Sequence, residues 1–124
     1  MREIKFRAFE KTKNLLIGVG TFYFTYKSIL LDNGEEYCFD EVELMQYTGL
    51  KDKNGVEIYE GDIIHAFSVE KPLEVVYRNG AFGYFGVFHN SFESFAGNYN
   101  FDFSKLDIEV IGNIYESAFL LETD

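Results

Sequence analysis

Three side chains in this sequence could ligate a soft metal, His65, His89 and Cys38, and none stands at the short paired spacing that zinc sites use. They would have to meet from distant positions, so neither a metal nor a cofactor is expected. A Cys–His nucleophilic pair faces the same demand. Cys38 lies between Tyr37 and Phe39 and reads as a buried, inert thiol, while His65, inside the apolar run Ile63–Phe67, reads as a pleat-facing or satisfied core histidine. Hydrolysis by acid–base chemistry needs two placed carboxylates, and Asp40/Glu41/Glu43 and Glu60/Asp62 supply neighbouring acids. With 21 acids in 124 residues, such neighbours arise without selection. Gly61-Asp62 reads instead as a tight turn whose carboxylate caps backbone N–H groups. No phosphate-cradling glycine loop is present, since Gly83 and Gly86 flank aromatics on a strand rather than opening a helix. No grouping supports catalysis, and the protein is expected not to be an enzyme.

The most unusual composition lies between Phe82 and Phe103, where nine aromatics are interleaved with Gly, Ser and Asn. Rigid rings on adaptable segments give contact area at low entropic cost, which makes Tyr84, Phe88, Phe92, Phe95, Tyr99 and Phe101 a candidate protein-binding surface. The same rings could equally fill a small β-barrel and cover its mouth, because aromatics dominate small cores.

Charge bounds the partner. The net charge is −10, and after Asn54 only Lys71, Arg78 and Lys105 are basic. Phosphate contacts supply most non-specific nucleic-acid affinity, so a nucleic-acid partner is not expected from this half. Lys5, Arg7, Lys51 and Lys53 make at most a modest positive patch, which solvated strand and turn faces explain as well. The lone Cys38 forms no internal disulfide and suits a reducing cytoplasm. The N-terminus alternates charged and apolar residues, so export is not expected, and the uncharged run Leu15–Tyr26 carries two glycines and is well short of the roughly 20 apolar residues of a membrane helix.

The elements that must position these residues are mostly strands. Fourteen Phe and nine Tyr with one proline favour pleated surfaces. Glu3–Phe9 alternates, with Ile4, Phe6 and Ala8 on one face; Lys11–Asn14 is a polar turn; Leu15–Val19 and Thr21–Leu31 read as strands, with Gly18 and Gly20 permitting a bulge. Asp32-Asn33-Gly34 reverses the chain. Tyr37–Leu50 fits either a short helix capped by Asp40 or a strand, and the strand fits better. After the turn Lys51–Gly55, Asn79-Gly80 between Leu73–Tyr77 and Ala81–Phe88 is a strong hairpin signal. Residues 89–105 read as a decorated loop, Asp107–Tyr115 as the closing strand and Ala118–Leu121 as one helical turn. The fold class is mainly β, with α+β as the alternative. One module is expected overall, an N-terminal lobe of residues 1–56 and a small barrel of residues 57–124 carrying the aromatic insert 89–105.

Four blocks resemble the YopX family in wording and order: Arg2–Phe9, Leu44–Gly55, Ile58–Ile64 and Val110–Glu116. The resemblance implies a β-rich or α/β N-terminal portion followed by an SH3-type barrel, in genes of phages and prophages, and it brings no catalytic residues. Phe82–Phe103 matches none of these blocks. The function expected from residues and resemblance together is a phage-encoded accessory protein of the host bacterial cytoplasm that binds a host or phage protein without catalysis. The alternative is a nucleic-acid-associated protein, binding single strands through Tyr and Phe or mimicking DNA with its carboxylates.

Overall fold

Wherever apolar and polar residues alternate here, a strand forms, and it ends where the backbone can take positive φ or a carboxylate can cap a turn. The computed structural model describes residues 3–66, 71–78, 81–85, 92–94 and 108–121, with the backbone alone at residues 66, 78, 84, 85 and 92–94. The described chain is mainly β. Its strands are β1 (Phe6–Glu10), β2 (Leu15–Tyr23), β3 (Ser28–Leu31), β4 (Glu36–Cys38), β5 (Val42–Lys51), β6 (Glu57–Tyr59), β7 (Asp62–Ala66), β8 (Leu73–Arg78), β9 (Ala81–Phe85), β10 (Phe92–Ser94) and β11 (Ile108–Asn113). Among the described residues, helix is confined to 3₁₀ turns at Phe39–Glu41 and Ala118–Leu121. None among the described residues is long and apolar enough to cross a membrane. Contacts divide the chain into Met1–Tyr47 and Thr48–Asp124. That division falls inside β5, whereas the sequence placed one at 56/57, behind the polar turn.

In the first unit the sheet runs β4-β3-β2-β1-β5, all neighbours antiparallel. Glu10 ends β1 by folding its carboxylate onto the turn, accepting from Thr12 Oγ1 and from the Thr12 and Lys13 N–H groups. A register shift between Val19 and Thr21 places an extra residue in β2, so Val19 and Phe22 share one face opposite Leu31 and Ile29. Without that bulge Phe22 would point to the other side. The core on this face holds Ala8, Ile29, Leu31 and Val42, with Ile17, Val19, Phe22, Tyr37, Phe39 and Leu44 packed against them.

One expectation changes here. The run Thr21–Leu31 is not one strand: the chain turns over at Phe24–Lys27, where the Lys27 N–H donates to the Phe24 carbonyl and Lys27 itself takes φ 54°. None of the residues that usually mark such a turn is present. Tyr37–Leu50 is mostly strand, as the better-fitting reading has it; the helix capped by Asp40 does not form, since Asp40 lies inside the single 3₁₀ turn, entered from Cys38, that separates β4 from β5.

In the second unit the order is β10-β9-β8-β7-β11, while β6 lies beside β5. The pairing Arg78↔Ala81 joins β8 and β9 directly across Asn79-Gly80, as the hairpin signal predicts. Gly61, at φ 85°, turns the chain into β7, and Asp62 accepts from the Tyr59 N–H at 2.8 Å. The core gathers Ile58, Ile64, Leu73, Val75, Phe82 and Ile108, with Leu50 and Val110 against it. Closure into a barrel is not found among the described residues. Strand β10 pairs with β9 and β11 with β7, and no pairing among the described residues links β10 to β11.

Candidate functional site

The bulge in β2 and the turn after it have a joint consequence in the first unit. By shifting alternation one residue, the bulge turns Phe22 and Phe24 toward the face that also carries Phe6 of β1, Leu44 of β5 and Phe39 of the 3₁₀ turn. These rings, with Ile4 ahead of β1, line an open apolar groove of about 580 Å³. Phe22 is its centre. It meets Phe6 edge-on at 5.0 Å between centroids, stacks on Phe24 at 5.6 Å with 9° between planes, and meets Phe39 edge-on at 6.3 Å. Phe24 also meets Phe39 edge-on at 6.3 Å. Such offset and edge-on pairs add to area burial and hold the rings in place. The outer residues remain in water: Ile4 and Phe24 are each 75% exposed, and Tyr26, on the turn, is 78% exposed. Lys5 lines the groove as well, with its ammonium 3.6 Å from Glu3 and 5.4 Å from the Tyr47 ring centroid.

On the other face of β4, away from the groove, the surface is acidic. Glu36, Asp40 and Glu41 are exposed and surround Cys38. The Cys38 N–H donates to Glu41 Oε1 at 2.8 Å, and Ser28 Oγ donates to Glu36 at 3.1 Å. A hydrogen bond to Glu41, local desolvation and the charges of Glu41, Asp40 and Glu36 push the Cys38 thiol up from its ordinary value. Lys27 is the basic neighbour here, its carbonyl accepting from the Phe39 N–H. The expectation of a buried thiol is corrected: Cys38 is exposed, because its neighbours Tyr37 and Phe39 take the core side and alternation turns Cys38 outward.

The other sequence candidates are accounted for by structure. Asp62 is buried against the Tyr59 N–H, and Glu43 pairs with Lys11 at 2.9 Å. His65 stands exposed on β7, paired in register with Glu109. Of the positive patch, Lys53 reaches Glu109 at 3.9 Å and Arg7 donates to Met45 Sδ at 3.5 Å. Among the described residues no group of three or more His, Cys, Asp and Glu is placed to hold a metal. Asp52, which the sequence showed only as part of a turn, is buried and accepts three backbone N–H groups: Asn54 and Val56 at Oδ1, and Val110 of β11 at Oδ2, at 2.8–2.9 Å.

The aromatic surface expected from the sequence falls almost entirely outside the described residues. Tyr84 and Phe92 have described backbone on β9 and β10, which pair antiparallel, while their side chains and the whole of Phe88, Phe95, Tyr99 and Phe101 lie outside the described residues, as does His89. The groove at Phe22–Phe24 was missed. Its signal was the run Phe22-Tyr23-Phe24-Thr25-Tyr26, too uniformly aromatic to be half-buried throughout.

Comparison with known proteins gives the lineage. The crystal structure of protein EF1440 from Enterococcus faecalis resembles this fold over 98% of this chain and 100% of that one, with 27% identity and a TM-score of 0.65. No curated protein matches. The family described as YopX protein matches residues 5–122, nearly the whole length and all four blocks, although it reaches only part of the first. The chain belongs to the YopX protein family.

Proposed function

We propose that this protein is a non-enzymatic protein-binding module, a phage- or prophage-encoded accessory protein acting in the host cytoplasm, and that the first unit's aromatic groove is its binding surface. The observation that carries this reading is the exposure of Phe24 and Ile4 beside the ordered rings of Phe6, Phe22 and Phe39. Interfaces place rigid aromatics around a desolvated centre, and such rings dominate their energy. Of the carboxylates considered for hydrolysis, Glu41 and Asp62 cap backbone N–H groups and Glu43 pairs with Lys11, which favours recognition as the use of this surface. In the second unit, four strands in sequence with a last strand returning beside the first is the order of an SH3-type barrel, and this supports the expected relation to that fold.

Affinity capture from a lysogenic host, with the wild type and a Phe24→Ala chain compared quantitatively by mass spectrometry, tests the reading. A host or phage protein retained by the wild type and depleted on Phe24→Ala is the expected result. Equal retention on both chains would move the binding surface elsewhere.

A further inference from the structure

Two tight turns in this chain are built alike, yet one side chain is held differently in each. In the first, the Leu31 N–H donates to the Glu35 carbonyl at 2.8 Å and the Gly34 N–H to the Leu31 carbonyl at 2.9 Å, with Gly34 at φ 90°. In the second, the Asp52 N–H donates to the Val56 carbonyl at 2.8 Å and the Gly55 N–H to the Asp52 carbonyl at 3.0 Å, with Gly55 at φ 83°. Asn33 and Asn54 hold the same place, each exposed and each followed by its glycine. Their carboxamides do not share surroundings. Asn33 Oδ1 accepts from the Glu35 N–H at 2.9 Å, and Asn33 Nδ2 donates to Glu35 Oε1 at 2.8 Å. At the equivalent point of the second turn the Val56 N–H is taken by Asp52 Oδ1 at 2.9 Å, and valine has no side-chain acceptor to offer. Among the described residues nothing latches the Asn54 carboxamide as Glu35 latches that of Asn33.

An asparagine before glycine can react with its own backbone, because no Cβ on the next residue shields the attacking nitrogen. The Gly55 nitrogen gives up its proton to solvent base and bonds to Cγ of Asn54. The bond from Cγ to the side-chain nitrogen breaks, ammonia leaves and a succinimide closes. Water then opens the ring at either carbonyl, giving aspartate or isoaspartate. Attack requires the glycine N–H to leave its carbonyl, a cost that the two turns share. It also requires the carboxamide to swing toward that nitrogen, and Asn33 must break two hydrogen bonds to do so. We infer that Asn54 is a site of spontaneous deamidation and that Glu35 protects Asn33 from the same reaction. Isoaspartate at position 54 inserts a backbone atom before Gly55, inside the turn that Asp52 caps and ties to Val110 of β11. The turn therefore carries a slow, water-driven change in its own cap.

Trypsin places the two sites on separate peptides, residues 28–51 and 54–78. The full chain is aged in mildly alkaline buffer, native and in guanidinium chloride, and the mass gain of deamidation is followed on each peptide. In the native chain Asn54 should convert roughly tenfold or more faster than Asn33, the factor that two modest hydrogen bonds represent, with isoaspartate the larger product. In denaturant the two rates should converge. Glu35→Ala should bring Asn33 several-fold toward the Asn54 rate. Should that variant also melt lower, Val56→Glu is the independent arm: the position is exposed and the new carboxylate supplies an acceptor, so Asn54 should slow about two- to fivefold, which loss of structure cannot do. Converted chain, separated by anion exchange, should show faster amide exchange at Val110. Equal native rates, a faster Asn33, or a ratio unchanged in denaturant would overturn the inference. Rates insensitive to both substitutions would overturn the protection by Glu35, and unaltered exchange at Val110 would overturn the coupling to the cap.

Discussion

Asp52→Asn is the substitution whose effect can be worked most closely. The carboxylate joins the turn after β5 to β11 across 58 residues of sequence, taking the Asn54 and Val56 N–H groups on Oδ1 and the Val110 N–H on Oδ2. An asparagine keeps one oxygen. Its least costly orientation leaves that oxygen on Asn54 and Val56 and turns the NH₂ toward the Val110 N–H, donor against donor. One charge-assisted bond is lost and two become neutral, together about 2–4 kcal/mol. At this chain length that lowers the melting temperature by roughly 8–15 °C. The effect depends on pH with a definite sign. Burial pushes the Asp52 carboxyl up, but the N–H groups of Val110, Val56 and Asn54, helped by the Lys53 charge, outweigh it and hold the group below the usual range. Stabilisation is therefore complete above the unfolded value near pH 4 and is lost as pH falls through the lower folded value. Calorimetric melts of both chains from pH 7 to pH 2 should show a gap that is constant down to about pH 5 and closes below it. Amide exchange at Val110 should quicken in the variant at pH 7. Melts within about 2 °C at pH 7, or a gap that widens in acid, would refute the argument.

Gly112→Ala would place a Cβ 2.7 Å from Cβ and Oγ of Ser117, so it should destabilise by about 1–3 kcal/mol in chemical denaturation, with Ser117→Gly restoring much of the loss. The raised thiol of Cys38 should alkylate with iodoacetamide at pH 8 several-fold more slowly than free cysteine, and Glu41→Gln should speed it, as mass spectrometry would record. In fluorescence anisotropy, labelled single- and double-stranded DNA should show no low-micromolar binding at physiological salt. Stacking on Phe24 offers about 1–3 kcal/mol per base but no phosphate contacts accompany it.

Turns were legible where a residue type compels them and hidden where tertiary structure does. Asn54-Gly55 and Asp32-Asn33-Gly34 could be read because Gly55 and Gly34 take φ of 83° and 90°. The hairpin joining β8 to β9 could be read from Asn79-Gly80 between two alternating runs. The turn at Phe24–Lys27 could not, because a lysine with positive φ carries no local signature, and the pairings Tyr23↔Ser28 and Phe22↔Ile29 impose it from outside. The candidate site inherits that limit. Composition drew attention to Phe82–Phe103, while the groove depends on a bulge that redirects Phe22, a register detail that alternation alone does not reveal. Cys38 shows the reverse case. Its aromatic neighbours suggested burial, yet strict alternation between Tyr37 and Phe39 was enough to turn it outward.

The edge of the first sheet bears on how the groove is used. In β4 the bonds from Leu31 N–H to the Glu35 carbonyl and from Phe39 N–H to the Lys27 carbonyl set the parity, so Tyr37 faces β3 and the backbone of Glu36 and Cys38 faces outward. An outward N–H in an edge strand is the group on which an added strand would form its ladder. Here the Cys38 N–H is occupied by Glu41, and β4 ends after three residues in a 3₁₀ turn. A segment pairing there would have to displace an ionised acceptor at 2.8 Å and would find little strand beyond it. Backbone recognition at this edge is therefore disfavoured by Glu41. Recognition by side chains, through the rings of the groove, is the mode that the local physics leaves open.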